Sequence, residues 1–176
     1  MSTLSQDQTA VIFGRRSIRA FSPGKITEAQ ITRMLEAAMA APSAMSKDPW
    51  RFIVIEDQKT LAMLPTHLPG GSMLSTAAAA IVVLGDLDIA FERNISYLLQ
   101  DCSASIENLL ICAHGIGLGA CWVGVHPNEK AILALRQLLG LPNSIVPIAV
   151  VALGIPGEDP GPRTRFTAAH VHREKW

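Results

Sequence analysis

The chain has 176 residues, which fits one domain, and 49% are hydrophobic against 17% charged, so a substantial core is within reach. Its 15 basic and 15 acidic residues cancel to a formal net charge of zero, and aromatic residues make up 5%, which excludes a polyanion-binding surface and a base-stacking platform. A mean hydropathy of +0.28 is high for a small chain and hints at an apolar homo-oligomer interface; a well-filled, alanine-rich core is the simpler alternative.

The opening MSTLSQDQTA has neither a basic n-region nor an apolar h-region, so no secretory leader is expected. A first helix is predicted over about 6–13, with Gly14 as its stop. Thr27 and Gln30 form a capping box ahead of an apolar stripe at Ile31, Met34, Leu35 and Ala38, and Pro42 closes that helix. The run 51–56 reads as a strand, 59–64 as a short helix and HLPGG as a loop. Ala80–Leu84 reads as a fully buried strand, and the apolar run that contains it is too short to span a bilayer. A long helix is predicted over 94–114, with Ile95, Leu98, Leu99, Cys102, Ile106, Leu109, Leu110 and Ala113 on its stripe. ACWVGV is a further strand. Asn128 caps a helix with Ile132, Leu135 and Leu138 inward, stopped by Gly140 and Pro142, and IVPIAVVALG is the last strand. From Ile155 onward the Pro/Gly-rich chain reads as an extended arm suited to wrapping a partner subunit. The order predicts a single α+β domain over 1–176 with a mixed sheet flanked by helices.

Cys102, Cys112 and Cys121 lack C-x-x-C spacing and read as reduced, buried thiols of a cytoplasmic protein. The H-x-H of His170 and His172 has no further ligand at metal spacing, so no metal is expected there. No nucleophile elbow or phosphate loop of the P-loop type occurs. Gly115, Gly117 and Gly119 follow a helix, the reverse of a dinucleotide fingerprint, and read as a helix-to-strand turn; Gly124, inside a strand, is the one that asks for a close backbone approach.

Charge is concentrated at GRRSIRAF. Arg15, Arg16 and Arg19, with the Ser17 hydroxyl, can converge as a bidentate clamp for a phosphate; they equally suit a solvated cluster at a helix C-terminus. Arg163 and Arg165 form a second pair on the arm. APSAMSKDPW, between a helix and a strand, has the character of a binding loop, or of a plain turn with Trp50 in the core.

Four segments in this order, RRSIRAF, AAPSAMSKDPWRFIVI, QDCSASIENLLICAHGIGLGACWVGV and LGIPGEDPGPRTRF followed by VHREKW, resemble the nitroreductase family of FMN-dependent oxidoreductases in its short form. The resemblance implies a homodimer with two FMN sites at the subunit interface and a C-terminal arm exchanged between subunits. It implies that Arg15, Arg16, Ser17 and Arg19 hold the FMN phosphate, ribityl and ring oxygens, with Arg16 or Arg19 at the ring edge. Pro42, Ser43, Ala44, Met45 and Ser46 would touch the isoalloxazine, largely from the other subunit. Trp122, Val123, Gly124 and Val125 would lay their backbone by its reactive edge, and Arg163 and Arg165 would reach the phosphate. No side chain is expected to act as acid or base, because the flavin carries the chemistry.

The implied activity is hydride transfer from NADH or NADPH to FMN and then to a nitroaromatic, quinone or enone acceptor in a ping-pong cycle. No nucleic-acid or membrane partner is expected. Alternatives are a flavin-binding sensor or carrier, a reductive dehalogenase or flavin-modifying relative, and a protein for another phosphorylated ligand. Two departures stand out: Ser46 where the family commonly has Asn, and Asp48 where it has Gln. The segment between the buried strand and the long helix is also short, so a more open pocket is expected.

Overall fold

The computed structural model describes residues 9–176. In chain order the helices and strands are α1 (Ala10–Gly14), β1 (Phe21–Ser22), α2 (Glu28–Met39), β2 (Trp50–Ile55), α3 (Gln58–Met63), β3 (Ala79–Asp86), α4 (Ile95–Gly115), β4 (Gly119–Gly124), α5 (Glu129–Leu139) and β5 (Ile145–Pro156). Residues 6–8 of the expected first helix lie outside the described residues; α1 begins after Thr9 and takes in Gly14, the expected stop, so that Arg15 is its C-cap.

Helix starts follow their caps. The Thr27 side chain accepts from the Gln30 N–H while the Gln30 side chain accepts from the Thr27 N–H, the reciprocal pair anticipated for α2. Asn94 and Asn128 cap α4 and α5 through the N–H groups of Ser96 and Ala131. HLPGG is flanked by one-turn 3-10 helices at Leu64–Thr66 and Ser72–Thr76, because Leu68, Met73 and Leu74 pack inward and pull the connection onto the sheet.

β5 organises the sheet. It pairs antiparallel with β3, β4 and β1, and β2 pairs antiparallel with β3. The class is α+β as expected. Every ladder between named strands is antiparallel, and parallel pairing is confined, among the described residues, to a one-residue bridge between Ser17 and Ala120.

Both faces of the sheet are covered, which explains why β3 reads as one continuous apolar run and not as an alternation. Ala79, Ile81 and Val83 face the core formed with α2 and α4, where Met34, Leu98, Ile106 and Leu109 are buried. Ala80, Val82 and Leu84 face the second core, formed with α3 and α5, where Leu61, Leu74 and Leu135 are buried. Five of the anticipated α4 residues, Leu98, Cys102, Ile106, Leu109 and Ala113, are fully enclosed, whereas Ile95 at its first turn is exposed. Among the described residues no helix is long and apolar enough to cross a membrane.

The arm begins later than the composition suggests. β5 continues to Pro156, and the segment after it has contacts within the chain: the Gly157 N–H donates to Ala20 (2.8 Å), and the Arg163 N–H approaches the Phe13 carbonyl at 3.4 Å. Beyond it Phe166, Val171 and Trp176 are exposed apolar side chains, and the Trp176 ring stacks on His172 at 4.3 Å.

Candidate functional site

The arginine segment is not a helix end with its charges on one side. After α1 the chain turns extended at Arg15 (φ −61, ψ 127), so successive side chains alternate. The Arg15 guanidinium reaches Glu107 of α4 at 3.1 Å. Arg16 turns the other way: its Nη1 donates to the Pro160 carbonyl at 3.0 Å and to that of Gly161, clasping the arm. Ile18 is buried, and Arg19 is exposed with no ion pair among the described residues. Of the two arrangements the sequence allows, neither holds for all three arginines within the chain: Arg15 pairs with α4, Arg16 clasps the arm and Arg19 is exposed.

The arm is held a second time by its own acid. Glu158 Oε1 accepts the N–H of Arg19 and, at 3.0 Å, that of Ala20. Those two backbone donors hold its carboxyl below the ordinary glutamate range. Gly14, Arg16 and Ile18 line a cavity of about 570 Å³ closed by Pro156–Pro160 and by Leu110 and His114 of α4; of the expected site residues it holds Arg16 alone.

Ser17 sits where the segment meets the sheet. Its bridge to Ala120, with the Ile18 N–H donating to the Ala120 carbonyl (2.9 Å), lays the arginines along the outer edge of β4. Past Ala120 that edge has no strand neighbour among the described residues, because β4 is a ladder partner of β5 alone. Trp122 and Gly124 are exposed on it while Val123 and Val125 are buried. A Cβ on Gly124 would meet nothing within 4 Å, so an open space lies over the backbone at that point. Gly117, in contrast, has φ 79, the left-handed turn needed to pass from α4 to β4. Burial pushes the Cys121 thiol up, and the charges of Arg19 and Glu158 act on it in opposite senses. The Cys102 thiol, on the buried face of α4, is pushed up to about 12 by burial, which disfavours its thiolate.

The Pro42–Ser46 loop follows α2 and makes a 3-10 turn at Ala44–Ser46. Met45 and Ser46 take φ of 52 and 51, and Asp48 takes 49. Left-handed backbone costs a non-glycine residue about 1–2 kcal/mol, so the surroundings must hold the loop. Met45 is 73% exposed, an apolar side chain presented outward. The Asp48 carboxylate is not turned loose into the site. The Ser43 hydroxyl donates to it, and the Asp48 N–H donates to Ser43 Oγ at 2.9 Å, closing the loop on itself. The Ala44 N–H donates to Asp101 of α4 at 2.9 Å. Asp101 is not among the candidate residues named from sequence; its position beside Leu98 and Cys102 on the buried stripe of α4 is the signal that marks it.

Within one chain the loop and the arginines are separate. Asp101 and Glu107, their contacts on α4, are six residues or about 9 Å apart along the axis and on different sides. Among the described residues no hydrogen bond or ion pair joins Pro42–Ser46 to Arg15–Arg19. Arg163 and Arg165, on the arm, are exposed.

The Nitroreductase family model matches residues 12–68 and 68–155, which include the arginine segment, the loop and β4. The chain belongs to the nitroreductase family. A proposed NADH dehydrogenase/NAD(P)H nitroreductase of Archaeoglobus fulgidus is 42% identical over 169 residues, covering 94% of this chain and 97% of that one. The crystal structure of a proposed NADH dehydrogenase/NAD(P)H nitroreductase from Parabacteroides distasonis superposes with a TM-score of 0.91 at 34% identity, covering 97% of this chain and all of the other. A proposed nitroreductase from Desulfovibrio desulfuricans, solved in complex with FMN, has a TM-score of 0.83 at 27% identity, with 98% of each chain covered. The resemblance read from four segments thus extends over nearly the whole nitroreductase chain.

Proposed function

We propose that the protein is an FMN-dependent oxidoreductase that takes hydride from NADH or NADPH and reduces a nitroaromatic, quinone or enone acceptor. The observation that carries this reading is the Ser17–Ala120 bridge, which sets a cationic segment beside an unpaired strand edge with open space over Gly124. That donor set suits a flavin mononucleotide: guanidinium groups for a phosphate, and backbone groups at the β4 edge for a planar polar ring. A Desulfovibrio relative that binds FMN supports the same assignment.

Arg15 and Ser17, with Arg163 and Arg165 of the arm, hold the phosphate and ribityl end. Because Arg16 is engaged by the arm, Arg19 is the candidate for the ring edge, where its charge favours a reduced, anionic flavin. The backbone of Trp122–Val125 lies by the reactive edge. Two copies form the working unit, and the Pro42–Ser46 loop of each serves the other's site; the separation of that loop from the arginines within one chain supports this. Bound FMN would supply hydride acceptance and donation, chemistry that no side chain here provides. The protein's part is to bind, orient and leave one face open, and the short connection before α4 leaves little to cover it. The two substrates then use the same face in turn, which gives parallel-line steady-state kinetics.

The visible spectrum of the purified protein, before and after mixing with NADH and NADPH in a stopped-flow instrument, tests this. A yellow protein that bleaches with either nucleotide and recovers with a quinone is the expected result. Failure of both nucleotides to bleach an FMN-loaded protein refutes the reductase reading, and failure to take up FMN refutes the flavin reading.

A further inference from the structure

We propose that Asp101 is the positioning residue of the Ser43–Asp48 loop, holding it through the Ala44 amide in the shape that receives the flavin; this rests on the flavin reading above. Three of the four residues from Met45 to Asp48 are non-glycine residues in left-handed backbone, and such a turn relaxes unless its surroundings determine it. Most of its bonds are internal: Ser46 N–H to Ser43 O (3.1 Å), Lys47 N–H to Ala44 O (3.2 Å) and the Ser43–Asp48 pair. They close the turn but do not tie it to the fold, and a left-handed turn of this kind opens unless something outside it holds it. Two bonds tie it to the body of the fold. Arg51 Nη1 reaches the Asp48 carbonyl at 3.3 Å, at the exposed far end, and Asp101 Oδ1 accepts from Ala44 at the turn itself.

Asp101 is ill suited to packing. It is 5% exposed, on the stripe that buries α4 against the sheet. Its Oδ2, and the Oγ of Ser105 one turn further along, are enclosed with no hydrogen-bond partner among the described residues. A buried carboxylate with a single donor destabilises a core relative to an apolar side chain of similar size. The bond to Ala44 is what this residue does that an apolar one would not, and through it the flavin-facing residues Ala44, Met45 and Ser46 are placed.

The test uses the purified full-length protein, two variants of Asp101 and one of the loop. Asp101→Asn keeps a carbonyl oxygen for Ala44, and Asp101→Ala removes the acceptor. Ala44→Pro removes the donor without touching α4; Ser43, at φ −135 and ψ 158, already has the extended conformation that precedes proline. Hydrogen exchange at the Ser46 and Lys47 amides reports the loop, exchange in β3 reports the global fold, and an FMN titration reports the site. Asp101→Ala and Ala44→Pro should each speed loop exchange by about tenfold or more with β3 unchanged, and weaken FMN binding by about tenfold. Asp101→Asn should stay within about threefold of wild type in both.

Unchanged loop exchange in Asp101→Ala and Ala44→Pro overturns the proposal. So does a loosened loop with undiminished FMN affinity. If Asp101→Ala does not fold, Ala44→Pro decides alone. The exchange readout needs no flavin, so a wild-type protein that takes up no FMN refutes the flavin reading while the loop measurement still judges the anchor.

Discussion

Arg16→Ala separates two roles that the sequence leaves merged. In the structure the Arg16 guanidinium donates to the carbonyls of Pro160 and Gly161. A hydrogen bond from a charged group contributes about 1.5–3 kcal/mol. Pro160 is exposed and Gly161 half-buried, so both carbonyls regain water when the side chain is removed, and the net cost sits at the lower end, about 1.5 kcal/mol. That is roughly a tenfold rise in the fraction of molecules whose arm is released. Native-state hydrogen exchange at Gly157 and Arg163, with tryptic cleavage after Arg163, should therefore accelerate by about tenfold while exchange in β3 and β5 does not change. FMN affinity should fall by no more than the arm does, because Arg163 and Arg165 leave with it. An arm that stays protected while FMN affinity collapses would refute this: Arg16 would then be a direct cofactor ligand, and the contacts to Pro160 and Gly161 incidental.

The other cationic positions behave differently. Arg15→Ala removes an ion pair with the half-exposed Glu107, worth about 0–1 kcal/mol, so chemical denaturation should hardly register it while FMN affinity drops about tenfold; equal affinity removes Arg15 from the site. Glu158 holds the arm through the Arg19 and Ala20 N–H groups. Its folded-state pKa is depressed, so its contribution is complete above the ordinary glutamate value of about 4.3 and is lost as pH falls through the lower folded value. Exchange at Gly157 should be flat from pH 7 to 5 after correction for intrinsic rates, then rise below about pH 4, and Glu158→Gln should abolish that rise. Cys102, with its thiol pushed up to about 12 in an enclosed position, should resist a thiol reagent at pH 8 in the native protein and react once it is unfolded; fast native labelling of Cys102 would contradict its burial.

Local signals in the sequence led to most of the elements. The Thr27–Gln30 box, the apolar period of α4 and the continuous run of β3 each state one local preference, and the tertiary packing agrees with all three. Signals failed where a neighbour distant in sequence decides the conformation. The HLPGG connection shows no periodicity, and its 3-10 turns form because Leu68 and Leu74 find the sheet. β1 is two residues long and exists because β5 runs past Leu153 to meet it. Asp101 carries no local signal of its contact because its partner, the Ala44 N–H, lies 57 residues away.

By itself the sequence determined the fold class, the family, and the candidate segments, since caps, periods and motifs are local and survive in one dimension. Tertiary structure alone decided how those segments share the work. Extended backbone after α1 sends Arg15 to α4 and Arg16 to the arm, because alternate side chains of a strand face opposite ways. The Ser17–Ala120 bridge then brings the one remaining arginine of the segment, Arg19, alongside β4. GRRSIRAF thus divides in the fold among an ion pair to α4, a clasp on the arm and an exposed Arg19, and composition carries no record of which arginine does which.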